Sequence, residues 1–406
     1  MQTADFTSLI ELRGVEISDR MAPATALLST LTLLLLGPVQ ALTILLSGIG
    51  YNMRLLGPVS LLNYLQLTSL NGILIKDGRA LEQIRNVDTV VFDKTGTLTL
   101  EQPHVGAIYA CNGYDEMTLL TYAAAAEHRQ THRIACAIIQ AATEQGLTLP
   151  TVSDASYQVG YGIQVVLDGK LVRVGSNRFM AMEAIAIPIE IDTLAQSAHS
   201  EGHSLVYVAV DEQLAGVIEL HPTVRPEAKR IVNALHQRGI ETYIISGDNE
   251  GPTRALAKQL GIDNYFAETL PENKAQLIRQ LQQEGRFVCF VGDGINDSIA
   301  LKTAQVSISL RGATTIATDT AQIILIDETL NQLERLFILA DEFEANMQIN
   351  LITTIVPAVV IIGGVFLGVV GYASGLVLFW AGGISGMLNA MRPLLQAQTK
   401  MQSETL

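Results

Sequence analysis

The sequence predicts an α/β protein: a doubly wound parallel sheet, a smaller α+β domain inserted into it, and four α-helical transmembrane spans. Three observations lead there. Two long stretches near the ends carry no charged side chain, the middle alternates short apolar runs with helical patterns, and one segment of that middle has a different grain. The 406 residues exceed what one core usually serves, so several folding units are expected. Only 16% are charged, against about 25% in an ordinary soluble chain, which disfavours a wholly soluble protein. The formal net charge is −14 and no Lys/Arg-rich block occurs, which excludes a nucleic-acid partner of the usual electrostatic kind. Cys111, Cys136 and Cys289 stand far apart with no CxxC, so they form neither a disulfide framework nor a thiolate metal site and read as reduced core residues.

Residues 1–20 read as a cytoplasmic linker. Asp5, Glu11, Glu16 and Asp19 precede the first apolar run, with neither a basic start nor a small-residue cleavage site, unlike a signal peptide. From Met21 to Met53 nothing is charged, and Gly37-Pro38 interrupts the run. That length is long for one span of about 20 residues and tight for two, so a hairpin of short helices is expected within 21–71. A second uncharged run, Ala345 to Met391, turns at Gly371-Tyr372-Ala373-Ser374 and gives two further spans within 341–395, followed by a tail of 396–406. Arg13, Arg20, Lys76, Arg79, Arg335, Arg392 and Lys400 flank the two hairpins from outside, so both termini and the middle are placed in the cytoplasm.

In the middle, Thr89 to Phe92, Thr242 to Ile245, Phe287 to Val291, Val306 to Leu310 and Gln322 to Ile326 read as buried parallel strands. They assign the sheet domain to 72–101 and 223–340. Between these parts, 102–222 carries a long helical stretch (Asp115 to Gln145) and then short alternating strands (Tyr157 to Val174, Leu205 to Val210, Leu214 to Glu219), an inserted α+β domain.

Chemistry in such sheets sits past the carboxyl ends of the strands. Three loops there are rich in polar groups: Asp93-Lys94-Thr95-Gly96-Thr97, Ser246-Gly247-Asp248-Asn249 and Gly292-Asp293-Gly294-Ile295-Asn296-Asp297. A carboxylate at a strand end, beside the amides of a Thr-Gly-Thr turn, suits a nucleophile attacking a phosphoryl group, which makes Asp93 the candidate. Asp293 can hold Mg²⁺ against it. Lys274, with the Ser246 hydroxyl and the Gly247 amide, can neutralise the equatorial oxygens, and Asn296 and Asp297 complete the shell.

Asp93-Lys94-Thr95-Gly96-Thr97-Leu98-Thr99 resembles the phosphorylation signature of P-type ATPases, and Gly292-Asp293-Gly294-Ile295-Asn296-Asp297 resembles their hinge signature. The resemblance implies a haloacid-dehalogenase-like P domain, an inserted nucleotide-binding N domain, Mg²⁺ and ATP, and an aspartyl-phosphate intermediate. Lys94, Thr95 and Asp248 are then catalytic, with Asp93, Thr95 and Asp293 at the metal. Glu127, His132 and Gly160-Tyr161-Gly162 resemble the adenine-binding set of the heavy-metal-transporting subfamily: a carboxylate for the amino group, an imidazole against the ring, and glycines (Gly160, Gly162) allowing close approach. Departures are Arg133 where Pro follows the His, Ser246 for Thr, Pro222 for Asp and Ile299 for Pro.

The subfamily's intramembrane Cys-Pro-Cys aligns with Ile49-Gly50-Tyr51. Asn350, Ser385 and Asn389-Ala390-Met391-Arg392 fall at other membrane positions of the pattern, but no soft ligand is supplied for Cu(I) or Zn²⁺. Arg54 stands where a small residue is usual, either as a built-in cation or as an arginine snorkelling to headgroups. No Thr-Gly-Glu occurs, so the chain resembles the C-terminal portion of a pump without its actuator domain. The expected functions are a phosphorylating ATPase whose actuator belongs to a separate polypeptide or whose chain is itself truncated, a non-transporting regulator or assembly factor using the ATPase core as a switch, or a membrane-anchored phosphatase. The expected setting is the bacterial inner membrane among lipid, with the P and N domains cytoplasmic.

Overall fold

The computed structural model describes residues 9–48, 50–100, 102–152, 154–158, 162–292, 297–310, 320–327 and 329–404. The chain divides into two compact units. One is Met1–Thr89 with Ile278–Phe290 and Ala300–Leu406; the other is Val90–Leu277 with Val291–Ile299.

The first unit carries five apolar helices: Leu9–Leu35, Pro38–Leu46, Met53–Leu70, Asn331–Phe366 and Tyr372–Glu404. Two segments, Asn331–Phe366 and Tyr372–Thr399, are long and apolar enough to cross a bilayer. They leave Ile352, Val356, Val359, Val377, Trp380 and Leu388 exposed, a surface that lipid rather than water would cover. Their connection is Leu367–Gly371, where Gly368 takes φ 71°. Tyr372 therefore opens the second helix instead of lying in the turn, as the sequence suggested.

The first expected hairpin departs further from a simple pair of spans. It does turn at Gly37 (φ 98°), with Pro38 at the start of the next helix, where its missing N–H is harmless. The second limb is broken: nine residues (Pro38–Leu46) and 18 residues (Met53–Leu70) flank Ser47–Asn52. At 1.5 Å per residue these pieces reach about 14 and 27 Å, each short of a hydrocarbon core of about 30 Å. Gly48 and Gly50, both at positive φ, occupy the break, the stretch that the sequence aligned with Cys-Pro-Cys; Ile49 lies outside the described residues. Arg54 is half-exposed and paired with Asp19 of the first helix at 2.6 Å. Its charge is thus met by a carboxylate at the surface.

A buried polar cluster ties Met53–Leu70, Asn331–Phe366 and Tyr372–Glu404 together. Ser60 Oγ donates to Asn346 Oδ1 (2.9 Å), Asn350 Nδ2 to Ser60 Oγ (2.8 Å), Asn389 Nδ2 to Asn350 Oδ1 (2.8 Å) and Asn346 Nδ2 to the Asn389 carbonyl (2.7 Å). In an apolar surrounding each such group needs its partner.

The strands in chain order are β1 (Ile73–Ile75), β2 (Thr89–Asp93), β3 (His104–Ala110), β4 (Asp154–Gln158), β5 (Gly162–Leu167), β6 (Lys170–Gly175) and β7 (Ser204–Val210). They continue with β8 (Gln213–His221), β9 (Glu241–Ile245), β10 (Asn264–Phe266), β11 (Val288–Gly292), β12 (Val306–Leu310) and β13 (Ile323–Leu325). One sheet has the order β1-β13-β12-β11-β2-β9-β10. In it β12–β13 and β9–β10 run parallel, and the edge strand β1 pairs antiparallel with β13. Every residue of β2, β11 and β12 is buried, as their unbroken apolar runs require of strands covered on both faces. Burial pushes the Cys289 thiol on β11 upward, consistent with an inert core thiol.

The second sheet, β3-β8-β7-β6-β5-β4, is antiparallel and serves two cores. Alternate residues of β7 part between its faces: Val206, Val208 and Val210 pack with Leu119, Leu120 and Ile138 under the helices Glu116–Glu127 and Arg133–Glu144, while Tyr207 and Ala209 pack with Phe179, Met180 and Ile191 on the other side. The single helix expected over Asp115 to Gln145 is two helices, broken at His128–His132.

Truncating Asn346 to Ala removes partners from both Ser60 and Asn389, so thermal unfolding in detergent should show a loss of about 1–2 kcal/mol. Asn63→Ala, which loses a single bond to the Ala390 carbonyl (3.0 Å), should cost less.

Candidate functional site

The loop after β2 is shaped by one glycine. Gly96 takes φ 76°, which lets Lys94–Leu98 fold back under the strand end. The segment after β8 pins it there: Arg225 donates its guanidinium to the Gly96 carbonyl (2.9 Å) and its N–H to the Leu98 carbonyl (2.9 Å). Sequence reasoning passed over Arg225; its only signal was the Arg-Pro-Glu-Ala stretch it opens.

Asp93 closes β2 and is almost fully buried. Lys274, in the first turn of the helix Pro271–Gln283, reaches it: Nζ donates to Asp93 Oδ1 at 2.5 Å and to Asp297 Oδ1 at 2.6 Å, and all three side chains are less than a tenth exposed. Burial works against the ammonium, yet the two carboxylates outweigh it and hold Lys274 above the ordinary lysine range. Lys94 forms an ion pair with the half-exposed Asp248. In the loop after β9, the buried Ser246 Oγ accepts the Asp248 N–H at 3.0 Å, and the Ser246 backbone bonds to Phe266 and Thr269. Thr95 and Gly247, with Lys94, Asp248 and Pro222, line a cavity of about 510 Å³. The structure therefore brings Asp93, Lys274 and Asp297 into direct contact, and sets Lys94, Thr95, Gly247 and Asp248 around one cavity. Asp293 and Asn296 lie outside the described residues. The donors present fit Mg²⁺: hard carboxylate oxygens, two of them sharing one ammonium, with no sulfur or imidazole among them.

The second predicted constellation assembles at the helix break. Glu127 ends its helix and is buried, whereas His132 is the N-cap of the next, its Nδ1 accepting the Ala135 N–H at 3.2 Å. That bond fixes the tautomer: Nδ1 carries a lone pair, so Nε2 carries the proton. Burial lowers the His132 pKa, which keeps the ring neutral. Glu127 Oε2 lies 3.1 Å from His132 Nε2, yet this is off hydrogen-bond geometry and leaves a buried acceptor without a partner. Burial raises the Glu127 carboxyl to about 7. Both face a cavity of about 740 Å³ also lined by Gly162, Gly175, Ser176 and Leu205. Gly162 pairs with Gly175 across β5 and β6, so two strands meet the cavity without side chains. Gly160 lies outside the described residues; Gly175 and Ser176 were not foreseen. A nucleoside base fits here on two counts, the orphaned acceptor that an exocyclic amino group would satisfy and a floor of glycine. Arg133 occupies the first helical position, where proline is tolerated because the helix leaves that N–H unused. Its replacement of Pro leaves the His132 cap intact.

The haloacid dehalogenase-like hydrolase family matches residues 87–305. A zinc-exporting P-type ATPase of Mycobacterium marinum is 34% identical over 80% of this chain and 45% of its own length. Copper-transporting ATPase 2 of Rhizobium meliloti is 34% identical over 77% of this chain and 38% of its own. The crystal structure of a zinc-transporting PIB-type ATPase in its E2·Pi state superposes with a TM-score of 0.79 at 32% identity, covering 93% of this chain and 62% of that one. The chain belongs to the haloacid dehalogenase-like hydrolases. Within them it carries a heavy-metal P-type ATPase-like core, and it spans under half the length of the curated relatives it matches.

Two outcomes are expected. Lys274→Met leaves Asp93 and Asp297 buried without their cation, and should destabilise the unit by about 3–5 kcal/mol in chemical denaturation. For Glu127, a folded pKa of about 7 against an ordinary 4.5 means stability that is complete below pH 4.5 and is lost as pH rises through 7. Glu127→Gln should therefore flatten the fall in melting temperature between pH 5 and 7, an effect of up to about 3 kcal/mol.

Proposed function

We propose that this protein binds Mg-ATP and transfers its terminal phosphoryl group to Asp93, as the catalytic core of a heavy-metal cation ATPase. One observation carries the reading: an almost fully buried aspartate at a strand end, held by a lysine that a second buried aspartate shares. A carboxylate so placed is kept ionised by its cation and shielded from water, as an in-line nucleophile requires.

In this reading an Asp93 carboxylate oxygen forms a bond to the γ-phosphorus while the bond to the bridging oxygen breaks and ADP leaves. Lys274 stays within reach of the transferred oxygens and offsets their charge. The Ser246 hydroxyl and Gly247 amide supply further donors, and Lys94, paired with Asp248, stands by the same cavity. Mg²⁺ on Asp93, the Thr95 backbone and Asp293 would supply charge neutralisation between nucleophile and phosphate. Glu127 would accept from the adenine amino group and His132 would present its ring, while Gly160 and Gly162 let the base approach closely. The cargo would be a heavy-metal cation, the setting the bacterial inner membrane with the catalytic domains cytoplasmic. The group that hydrolyses the aspartyl phosphate would come from outside these 406 residues, on a Thr-Gly-Glu loop.

A second reading, an ATP-driven switch that moves no ion, is favoured by the membrane helices. Ser60, Asn346, Asn350 and Asn389 spend their polar atoms on one another, and no thiol lies among the described membrane residues. Inside-out vesicles carrying the chain together with a Thr-Gly-Glu actuator, given external Zn²⁺ or Cu(I), separate the two, since only the pump accumulates metal on ATP addition.

Radiolabelled Mg-ATP should yield an acid-stable, hydroxylamine-sensitive phosphoenzyme that Asp93→Asn abolishes; equal labelling of that variant would remove Asp93 from its role. ATP affinity should rise by up to roughly tenfold per pH unit below 7, as the Glu127 carboxylate forms, and Glu127→Gln should bind weakly with no such slope.

A further inference from the structure

The two strands that lead into and out of the six-stranded sheet bring three histidines together. Antiparallel pairing of β3 and β8 sets His104 opposite His221, and Ser204 of β7 pairs with Leu220, so the next rung outward sets His203 beside His221. The rings of His203 and His221 stack with centroids 3.7 Å apart, and His104 meets His221 edge-on at 5.6 Å. Glu219 lies two residues before His221 and so projects from the same face of β8. Its buried carboxylate has Oε1 2.5 Å from His203 Nδ1 and 3.2 Å from His221 Nε2, while the Tyr109 hydroxyl donates to Oε2 at 3.1 Å. His221 Nε2 is buried and has no hydrogen-bond partner. A β-bulge around Gly106 makes the room: a Cβ there would strike the His221 ring.

We propose that His203 Nδ1, Glu219 Oε1 and His221 Nε2 form a binding site for a borderline divalent cation of the Zn²⁺ or Co²⁺ class, distinct from the Mg²⁺ site at Asp93. The three donor atoms lie within 4.8 Å of one another. Two imidazole nitrogens and one carboxylate oxygen are the set such ions take, leaving a position for water. Ligand bonds of about 2.1 Å hold donors roughly 3.3 Å apart, so the His203–Glu219 contact opens by about an ångström on binding. Stacked rings cannot both aim a lone pair at one ion, so one ring must turn. His221 is gripped by β3 and Gly106. His203 is the ring that would turn, since it precedes the β7 ladder, between Gly202 (φ 81°) and Ser204. It lines the 510 Å³ cavity that Lys94, Thr95 and Asp248 share, which gives the ion its path. The Tyr109 hydroxyl is the outer-shell group that orients the Glu219 carboxylate.

The test titrates the full chain in detergent with Co²⁺, in excess Mg²⁺ to occupy the Asp93 region, and follows the cobalt d–d absorption and its displacement by Zn²⁺. One equivalent should bind with an imidazole-type spectrum. His203→Ala and His221→Ala should each weaken binding by at least about tenfold, and so should the isosteric Glu219→Gln, whose fold is preserved by its shape. His104→Ala, which leaves all three donors, should bind within about twofold of the parent. Absence of a cobalt spectrum in the parent chain overturns the proposal, as does unchanged affinity in Glu219→Gln or His203→Ala.

Discussion

Everything at the catalytic end depends on placing one ammonium between two carboxylates away from water. Lys274 sits at 2.5 Å from Asp93 and 2.6 Å from Asp297, and none of the three has solvent to fall back on. Desolvating ions costs several kcal/mol apiece, recovered only when partners are held at near-ideal geometry. That demand explains the architecture around them. β2 is buried along its whole length so that Asp93 cannot shift, Gly96 accepts a left-handed turn, and Arg225 anchors that turn through the Gly96 and Leu98 carbonyls. The arrangement does not maximise stability; a hydrophobic trio would serve that better. It holds the Asp93 carboxylate against a cation at a fixed place.

Much of this was legible in the sequence because strands covered on both faces write themselves as unbroken apolar runs. Thr89–Phe92 and Val306–Leu310 fall within one residue of β2 and β12, and the polar loops follow where parallel strands end. Lys274 was legible as a lysine just before a helix, but its sharing between two aspartates was not, since contacts 181 residues apart leave no local pattern. The Asp115 to Gln145 stretch was misread as continuous because its helical periodicity persists on both sides of the break. The capping role of His132 was hidden, histidine being an uncommon cap. His203 and His221 are 18 positions apart and belong to different strands, so only the pairing register brings them face to face.

The membrane part obeyed a different logic. Absence of charge marked where apolar helices lie, but it could not distinguish a continuous span from a limb broken at Ser47–Asn52, because glycine is common in both. Asn350 and Asn389, which fall at membrane positions of the pattern, close a ring of hydrogen bonds with Ser60 and Asn346 among three helices. Arg54, suspected of standing in for a cation, is satisfied by Asp19 at the periphery.

The helix cap at His132 has a consequence for how this region tolerates change. Because Nδ1 is committed to the Ala135 amide, the imidazole is a structural element in its own right, and its removal would unravel a turn. The adjoining position opens the helix, where the backbone is not asked for its amide hydrogen. Proline and arginine both suit the backbone there, whereas a change one residue earlier costs the cap: in this dipeptide the wiring of the main chain, more than chemistry alone, decides what each position accepts.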